Sequence, residues 1–173
     1  MHYHYGTLGQ LEHGVNYATA YLKTIGKYRP AARKLSEWPY APASKARLFV
    51  LAGHRNMEGE RAFVQEVRSS RHQSFLKDNP AIAYKYSLGG GYLKSKSWEP
   101  LGPVGCYDKF GPELSFGQAL QAKDKENIVI AKFTHSGSQI IDWTPGGSLA
   151  KSRHIYPAFV NFCLLYTSPS PRD

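Results

Sequence analysis

Three polar residues with chemical capability follow one short apolar run. The run covers residues 48–52 and stops at Gly53, after which His54, Arg55 and Asn56 follow in order. Short apolar runs rich in Val, Leu and Phe are typical of buried strands in parallel sheets. The carboxyl ends of such strands carry the chemistry of α/β proteins. The sequence therefore predicts an imidazole, a guanidinium and an amide at one strand end.

Arg55 has two interpretations at this position. Its guanidinium stays protonated and cannot act as a nucleophile, but its N–H donors suit an acetyl, carboxylate or sulfate oxygen. The alternative is a structural arginine held in a salt bridge. His54 can in principle act as a base, although the sequence places no hydroxyl beside it. A structural histidine is therefore the competing interpretation.

A second apolar run, residues 128–133, leads into another polar segment. Ser136 and Ser138 flank Gly137 there, next to His135. Either serine can in principle supply a nucleophile, but the Gly-x-Ser-x-Gly spacing of a nucleophile elbow is absent. The Gly-rich stretch 87–95 also lacks the spacing of a phosphate-binding loop, which favours a flexible turn. The seven histidines show no paired ligand spacing, so the sequence predicts no metal site.

The elements that position these residues alternate along the chain. We expect a linker or extended wrap over 27–45 and a Gly- and Pro-rich loop over 88–107. Alternation of strands and helices favours βαβ units and a parallel sheet. The predicted strands are 48–52, 81–87 and 128–133, and the predicted helices are 11–25, 61–67, 113–123 and one beginning at 156.

Together these segments resemble the sialate O-acetylesterase (SASA) domain, a carbohydrate-esterase branch of the SGNH hydrolases. The first block of that family is an apolar strand followed by Gly-Gln-Ser-Asn-Met-x-Gly, with Ser as nucleophile. In this chain His54 stands at the Gln position and Arg55 at the Ser position. Later blocks are similar to Trp98-Glu99-Pro100-Leu101, to the segment 110–117 and to the segment 127–143.

The resemblance implies a three-layer α/β/α, flavodoxin-like SGNH fold with a parallel sheet, truncated at its C-terminus. It implies carbohydrate O-acetylester hydrolysis, which we expect to be lost in this chain because Arg55 replaces the nucleophile. The alternative is a noncatalytic, glycan-binding pseudo-esterase. In either case the expected partner is an acetylated carbohydrate or glycan, without a cofactor or metal. The resemblance assigns oxyanion or ligand binding to Gly53, His54, Asn56, Gly137 and Gln139.

The N-terminal residues resemble the closing block of the same family, Asp-x-x-His-x-x-x-x-Gly-Gln. His4 matches the His, which is the family's general base, and Met1 stands at the Asp position. Residues 1–26 are therefore expected to be the tail of a preceding SASA-like domain, and 46–162 the front part of another. The alternative is an unrelated amphipathic helix before a single domain. The Thr7-x-x-Gln10 spacing predicts a capping box.

Residues 163–173 are expected to be a non-native tail. They match, residue for residue, the translation of a transposase sequencing adapter, and such segments are excluded from fold reasoning. The alternative is a natural polar tail. If the match is correct, the residues from Cys163 onward have no packing role.

The composition of the chain limits the classes of partner that we expect it to bind. The formal net charge is +9, but the Lys and Arg residues are scattered and no nucleic-acid-binding motif is present, so we expect a solvated basic surface. No apolar stretch approaches the roughly 18 residues of a membrane helix. Two cysteines leave the compartment open. The family resemblance implies a secreted or periplasmic protein, although no signal peptide is visible. The oligomeric state stays undetermined.

Overall fold

A computed structural model describes residues 6–24, 40–41, 44–105, 107–124, 126–148 and 154–167 of the chain. A central sheet organises these residues. Its three long strands are β1 (Ala46–Gly53), β2 (Asn79–Leu88) and β5 (Asn127–Thr134), which are parallel to one another in the order β1-β5-β2. Two short strands, β3 (Leu93–Lys94) and β4 (Glu99–Leu101), both pair antiparallel with β2.

Within the described residues, five α-helices and three short 3₁₀ turns connect and cover the strands. The helices are α1 (Thr7–Thr24), α2 (Arg55–Glu58), α3 (Val64–Arg68), α4 (Glu113–Gln121) and α5 (Tyr156–Thr167), and the turns are Gln73–Leu76, Gly89–Gly91 and Ile140–Trp143. Strand-helix alternation and the parallel central strands confirm the α/β prediction.

Alternation along β5 divides the apolar side chains between two faces. Ile128 and Ile130 join the main core, where they pack with Leu114 and Leu120 of α4. On the other face, residues 131 and 133 pack against α5. Successive side chains of a strand point to opposite faces, so that a strand buried on both faces reads as the continuous apolar run seen in the sequence. The result is three layers, with helices on both sides of the sheet.

Helix α1 packs directly on α4. A Cβ built at Gly14 would lie 1.9 Å from Ser115 Oγ and 2.4 Å from the Pro112 carbonyl oxygen, so this contact requires a glycine. Leu11 and Ala18 are buried in the main core. The assignment of residues 1–26 to a preceding domain stays a prediction, but within this chain α1 forms part of the layer that covers the sheet.

The first turn of α1 uses its polar side chains for tertiary contacts instead of the predicted capping box. The backbone N–H of Gln10 donates to the carbonyl of Gly6 (3.0 Å), while its side chain donates to the backbone oxygen of Asn56 (2.6 Å). The hydroxyl of Thr7 accepts from the backbone N–H of Phe63 (3.0 Å). His4, Met1 and most of the predicted linker lie outside the described residues.

Two other predictions differ from the structure. The segment 88–107, predicted as a loop, contains β3 and β4 together with the 89–91 turn. Both strands are very short, and Pro100 within β4 has no backbone N–H to donate, which is why the pattern of a strand is weak there. The helix predicted over 61–67 begins only at Val64, because residues 59–63 form turns and an isolated bridge from Phe63 to Lys109.

Helix α5 does not stop at Phe162. Cys163 packs against the cluster of Phe133, Ile155 and Phe162 on the second face of the sheet, and burial raises the pKa of its thiol. The expectation of no packing from residue 163 onward is therefore wrong for Cys163. The proposed adapter origin of residues 163–173 stays a prediction.

Candidate functional site

The carboxyl ends of the three parallel strands lie level at one edge of the sheet. Gly53 at the end of β1 is in register with Thr134 of β5, and Ser87 of β2 is in register with Phe133. The backbone N–H of His135 extends this pairing by donating to the carbonyl of Gly53 (3.1 Å). The segments that follow the strands are thereby brought together.

Helix α2 begins after a single residue beyond the end of β1 and packs against it. A Cβ at Gly53 would lie 2.9 Å from Cβ of Met57. At the other end of α2, Gly59 has a φ of 89°, and a Cβ there would lie 1.6 Å from the carbonyl oxygen of Phe110. Only glycine tolerates both this backbone conformation and this approach. The two glycines of the motif thus fix where residues 54–58 lie.

Arg55 is the first residue of α2 and forms an ion pair at the rim of the site. Its Nε lies 3.2 Å from Oε2 of Glu60, and the two side chains remain 42% and 36% exposed. Nε itself is shielded from solvent and has no hydrogen-bond acceptor among the described residues. The contact with Glu60 is therefore an ion pair without a directed hydrogen bond.

His54 links the ends of β1 and β5. The backbone N–H of Gly137 donates to Nε2 of His54 (2.9 Å). Because a nitrogen that accepts a hydrogen bond carries no proton, this contact requires the Nδ1–H tautomer of the imidazole. The structure thus brings together two residues that the sequence assigned to one site, and the bond occupies the nitrogen that a base at Nε2 would need.

Asn56 and Gln139 take different positions. Asn56 lies in α2, where its backbone oxygen accepts the bond from Gln10. Gln139 is exposed and caps the 140–143 turn, with its backbone N–H donating to Oδ2 of Asp142 (2.7 Å). A ligand-binding role for either residue stays a prediction.

The two serines after β5 donate their hydroxyl protons to oxygen atoms. Ser136 Oγ donates to Oε2 of Glu58 (3.0 Å), and Ser138 Oγ donates to the carbonyl of His135 (2.7 Å). Ser138 also accepts from Nε1 of Trp143 (3.1 Å). Each hydroxyl has a single proton to donate, so neither donates to an imidazole as a nucleophile paired with a histidine base would.

Comparison with known families decides the family. The family described as carbohydrate esterase, sialic acid-specific acetylesterase (SASA) matches residues 45–163, more than half of the chain. The chain belongs to this family. Comparison with curated proteins and with solved structures gave no match. The predicted family and α/β fold are confirmed, and the match coincides with the strands and helices that build this edge of the sheet.

Beneath α2, the SASA domain contains a buried ion pair that the sequence analysis missed. Lys132 Nζ lies 2.6 Å from Oε2 of Glu113, and both side chains are fully buried. Oε1 of Glu113 accepts from the backbone N–H of Gly111 (3.0 Å), and Nζ also donates to the carbonyl of Glu58 (3.4 Å). The only available signal was a lysine inside an apolar strand, since charged residues are rarely buried without a partner.

The glycine run after β2 is structural. Gly90 has a φ of 68°, and a Cβ there would lie 2.8 Å from the ring of His135. Glycine lets the turn approach His135 closely. The structure therefore has a turn here, as the sequence predicted in preference to a phosphate-binding loop. Trp98 and Trp143 are half-buried in apolar clusters, whereas Tyr92 and Tyr107 are exposed.

The described residues include most of the SASA domain and helix α1 before it. They contain no group of three or more His, Cys, Asp or Glu side chains placed to hold a metal ion. None of their helices is both long and apolar enough to cross a bilayer.

Proposed function

We propose that this SASA domain binds O-acylated or anionic glycans without hydrolysing them. The observation that carries the proposal is Arg55, which stands at the position of the nucleophilic Ser in the resemblance and whose side chain remains 42% exposed at the rim of the site. Ester hydrolysis of the family type needs a hydroxyl activated by a histidine. Arg55 cannot supply one, and the two nearby serines donate to Glu58 and to a backbone carbonyl.

Ligand binding is supported by the same residue. A guanidinium offers hydrogen bonds in a planar geometry that matches carboxylate and acyl oxygens. Glu60 lies on one side of it and orients the side chain. The net charge of +9 favours the approach of anionic ligands such as sialic acids.

A second candidate is the family's own reaction, O-acetylester hydrolysis, assisted by the N-terminal segment. One contact favours it. The fully buried side chain of Gln10 donates to the backbone of Asn56, so α1 begins beside the segment that follows β1. The resemblance makes His4 the general base of a closing block, and His4 precedes Thr7 by three positions in the sequence.

The test is an acetate-release assay of the whole chain with O-acetylated sialic acid, combined with calorimetric titration of the same ligand. We expect binding without turnover, and no turnover in Arg55→Ser either. The second candidate instead predicts slow hydrolysis by Arg55→Ser that disappears in Arg55→Ser with His4→Ala. Turnover by the unmodified chain would refute the noncatalytic proposal, and turnover that survives Ser136→Ala and Ser138→Ala would also exclude these serines as the nucleophile.

A further inference from the structure

A groove between the segments 63–66 and 107–108 combines two aromatic rings with polar side chains. It has a volume of about 510 Å³ and is lined by Phe63, Gln65, Glu66, Tyr107 and Asp108. Neither the family match nor the strand-end site accounts for it. Phe63 lines one side of the groove and follows Glu60, the partner of Arg55, by three residues. Three residues of chain span at most about 10 Å, so this side of the groove lies close to Glu60.

The rings are accessible although they belong to a folded segment. Tyr107 is 80% exposed and Phe63 is 38% exposed. The ammonium group of Lys109 lies 5.4 Å from the centre of the Phe63 ring and 5.8 Å from that of Tyr107. One cation therefore contacts both rings, and the high exposure of Tyr107 leaves much of that ring open for a ligand.

Backbone contacts hold the two walls of the groove together. The N–H of Val64 donates to the carbonyl of Asp108 (2.9 Å), and the N–H of Phe110 donates to the carbonyl of Ala62 (3.2 Å). Tyr107 and Asp108 have φ values of 61° and 54°, an uncommon conformation for residues other than glycine. The exposed ring of Tyr107 therefore belongs to a segment that backbone hydrogen bonds hold in place. This reduces the entropy that is lost when a ligand binds.

These groups match the chemistry of a sugar ring. One face of a pyranose presents C–H groups that pack on an aromatic ring, and its hydroxyls donate to carboxylate and amide oxygens. Glu66 and Asp108 supply carboxylates and Gln65 supplies an amide. Two carboxylates against one lysine disfavour a sugar that carries its own negative charge. The groove therefore suits a neutral sugar.

We propose that the groove of Phe63, Glu66, Tyr107 and Asp108 binds a neutral pyranose unit of the glycan whose acylated or anionic unit lies at Arg55. This inference extends the proposed function and gives the domain two adjoining subsites of opposite charge preference. The Tyr107 side supplies stacking, and the Arg55 side recognises the acyl or acidic group.

The test is calorimetric titration of the whole chain with neutral hexasaccharides of glucose, galactose, mannose and N-acetylglucosamine that carry no O-acetyl groups. We expect at least one to bind, with affinity about tenfold lower in Tyr107→Ala, as for an aromatic residue central to an interface. Tyr107→Trp keeps a ring and should bind. Tyr17→Ala removes another exposed tyrosine, stacked on His13 of α1 outside the groove, and should bind like the unmodified chain.

Arg55→Ala separates this inference from the proposed function. Loss of neutral-sugar binding in Tyr107→Ala but not in Arg55→Ala supports the groove, whether or not O-acetylated sialic acid binds. Failure of all four hexasaccharides to bind the unmodified chain would overturn it. Equal affinities of the unmodified chain and Tyr107→Ala would overturn it too, even if O-acetylated sialic acid binds through Arg55.

Discussion

Two ion pairs meet the short helix α2 at its two ends. Arg55, its first residue, pairs with Glu60 at the rim, where both side chains are more than a third exposed. The carbonyl of Glu58, its last residue, accepts from Lys132, whose ammonium pairs with Glu113 in full burial. One pair lies between partly exposed side chains at the rim, and the other is sealed below the site.

The difference indicates which residues hold the site and which act in it. A buried charge is costly unless it is paired and hydrogen-bonded, and both oxygens of Glu113 have partners. The lower pair therefore fixes α2 against α4. An exposed pair contributes little to stability, so the Arg55 pair can be broken by a ligand at small cost.

The largest effect is expected from removing one member of the buried pair. Lys132→Ala leaves the carboxylate of Glu113 buried without its cation, which we expect to lower the free energy of unfolding by about 3–5 kcal/mol. Urea denaturation at pH 7 measures it. The double variant Lys132→Met with Glu113→Leu is the control and should recover most of the loss. A loss below about 1 kcal/mol in Lys132→Ala would contradict the assigned role of the pair.

Gly59→Ala should have the next largest effect, because it disturbs the turn between the two pairs. The added methyl group would meet the carbonyl of Phe110, and the φ of 89° is unfavourable for alanine. We expect a loss of about 2–3 kcal/mol. Gly137→Ala is the matched control. Its φ is 80° but no atom lies within 4 Å of the added Cβ, so only the backbone strain of about 1–2 kcal/mol remains.

Tyr86, a buried tyrosine of β2, predicts that stability depends on pH in the alkaline range. Burial, together with the nearby Glu99 and its hydrogen bond to the hydroxyl, raises the pKa of Tyr86 to about 12. The unfolded chain, with a tyrosine pKa of about 10, releases its proton first as the pH rises. The free energy of unfolding should therefore fall between about pH 10 and pH 12, by on the order of 1 kcal/mol per pH unit. Tyr86→Phe should reduce this slope, and an unchanged slope would contradict the assignment.

The smallest effect on stability is expected at the rim. Arg55→Ala should change the free energy of unfolding by no more than about 0.5 kcal/mol, since the pair with Glu60 is largely exposed. Glu60→Ala should behave alike in the same urea titration. A loss comparable to that of Lys132→Ala would make Arg55 a structural residue and remove the contrast between the two pairs.

The sequence predicted the frame of the site better than its contacts. Continuous apolar runs located β1 and β5, alternating side chains located β2, and the glycine that ends β1 marked the edge where His54 and Gly137 meet. The pairing of Lys132 with Glu113 could not be predicted, because they lie nineteen positions apart in the sequence and only the fold brings them together. The same holds for Gln10 and Asn56, whose contact depends on α1 packing against α4.

The most direct test of the central claim is calorimetric titration of the whole chain and Arg55→Ala with O-acetylated sialic acid. If the Arg55 guanidinium binds the ligand at the strand end, the substitution should weaken binding by about 1.5–3 kcal/mol, the range for hydrogen bonds to charged groups. Acetate release should stay at background for both proteins. Equal affinities of the two proteins, or hydrolysis by either, would contradict a noncatalytic domain that binds glycans through Arg55.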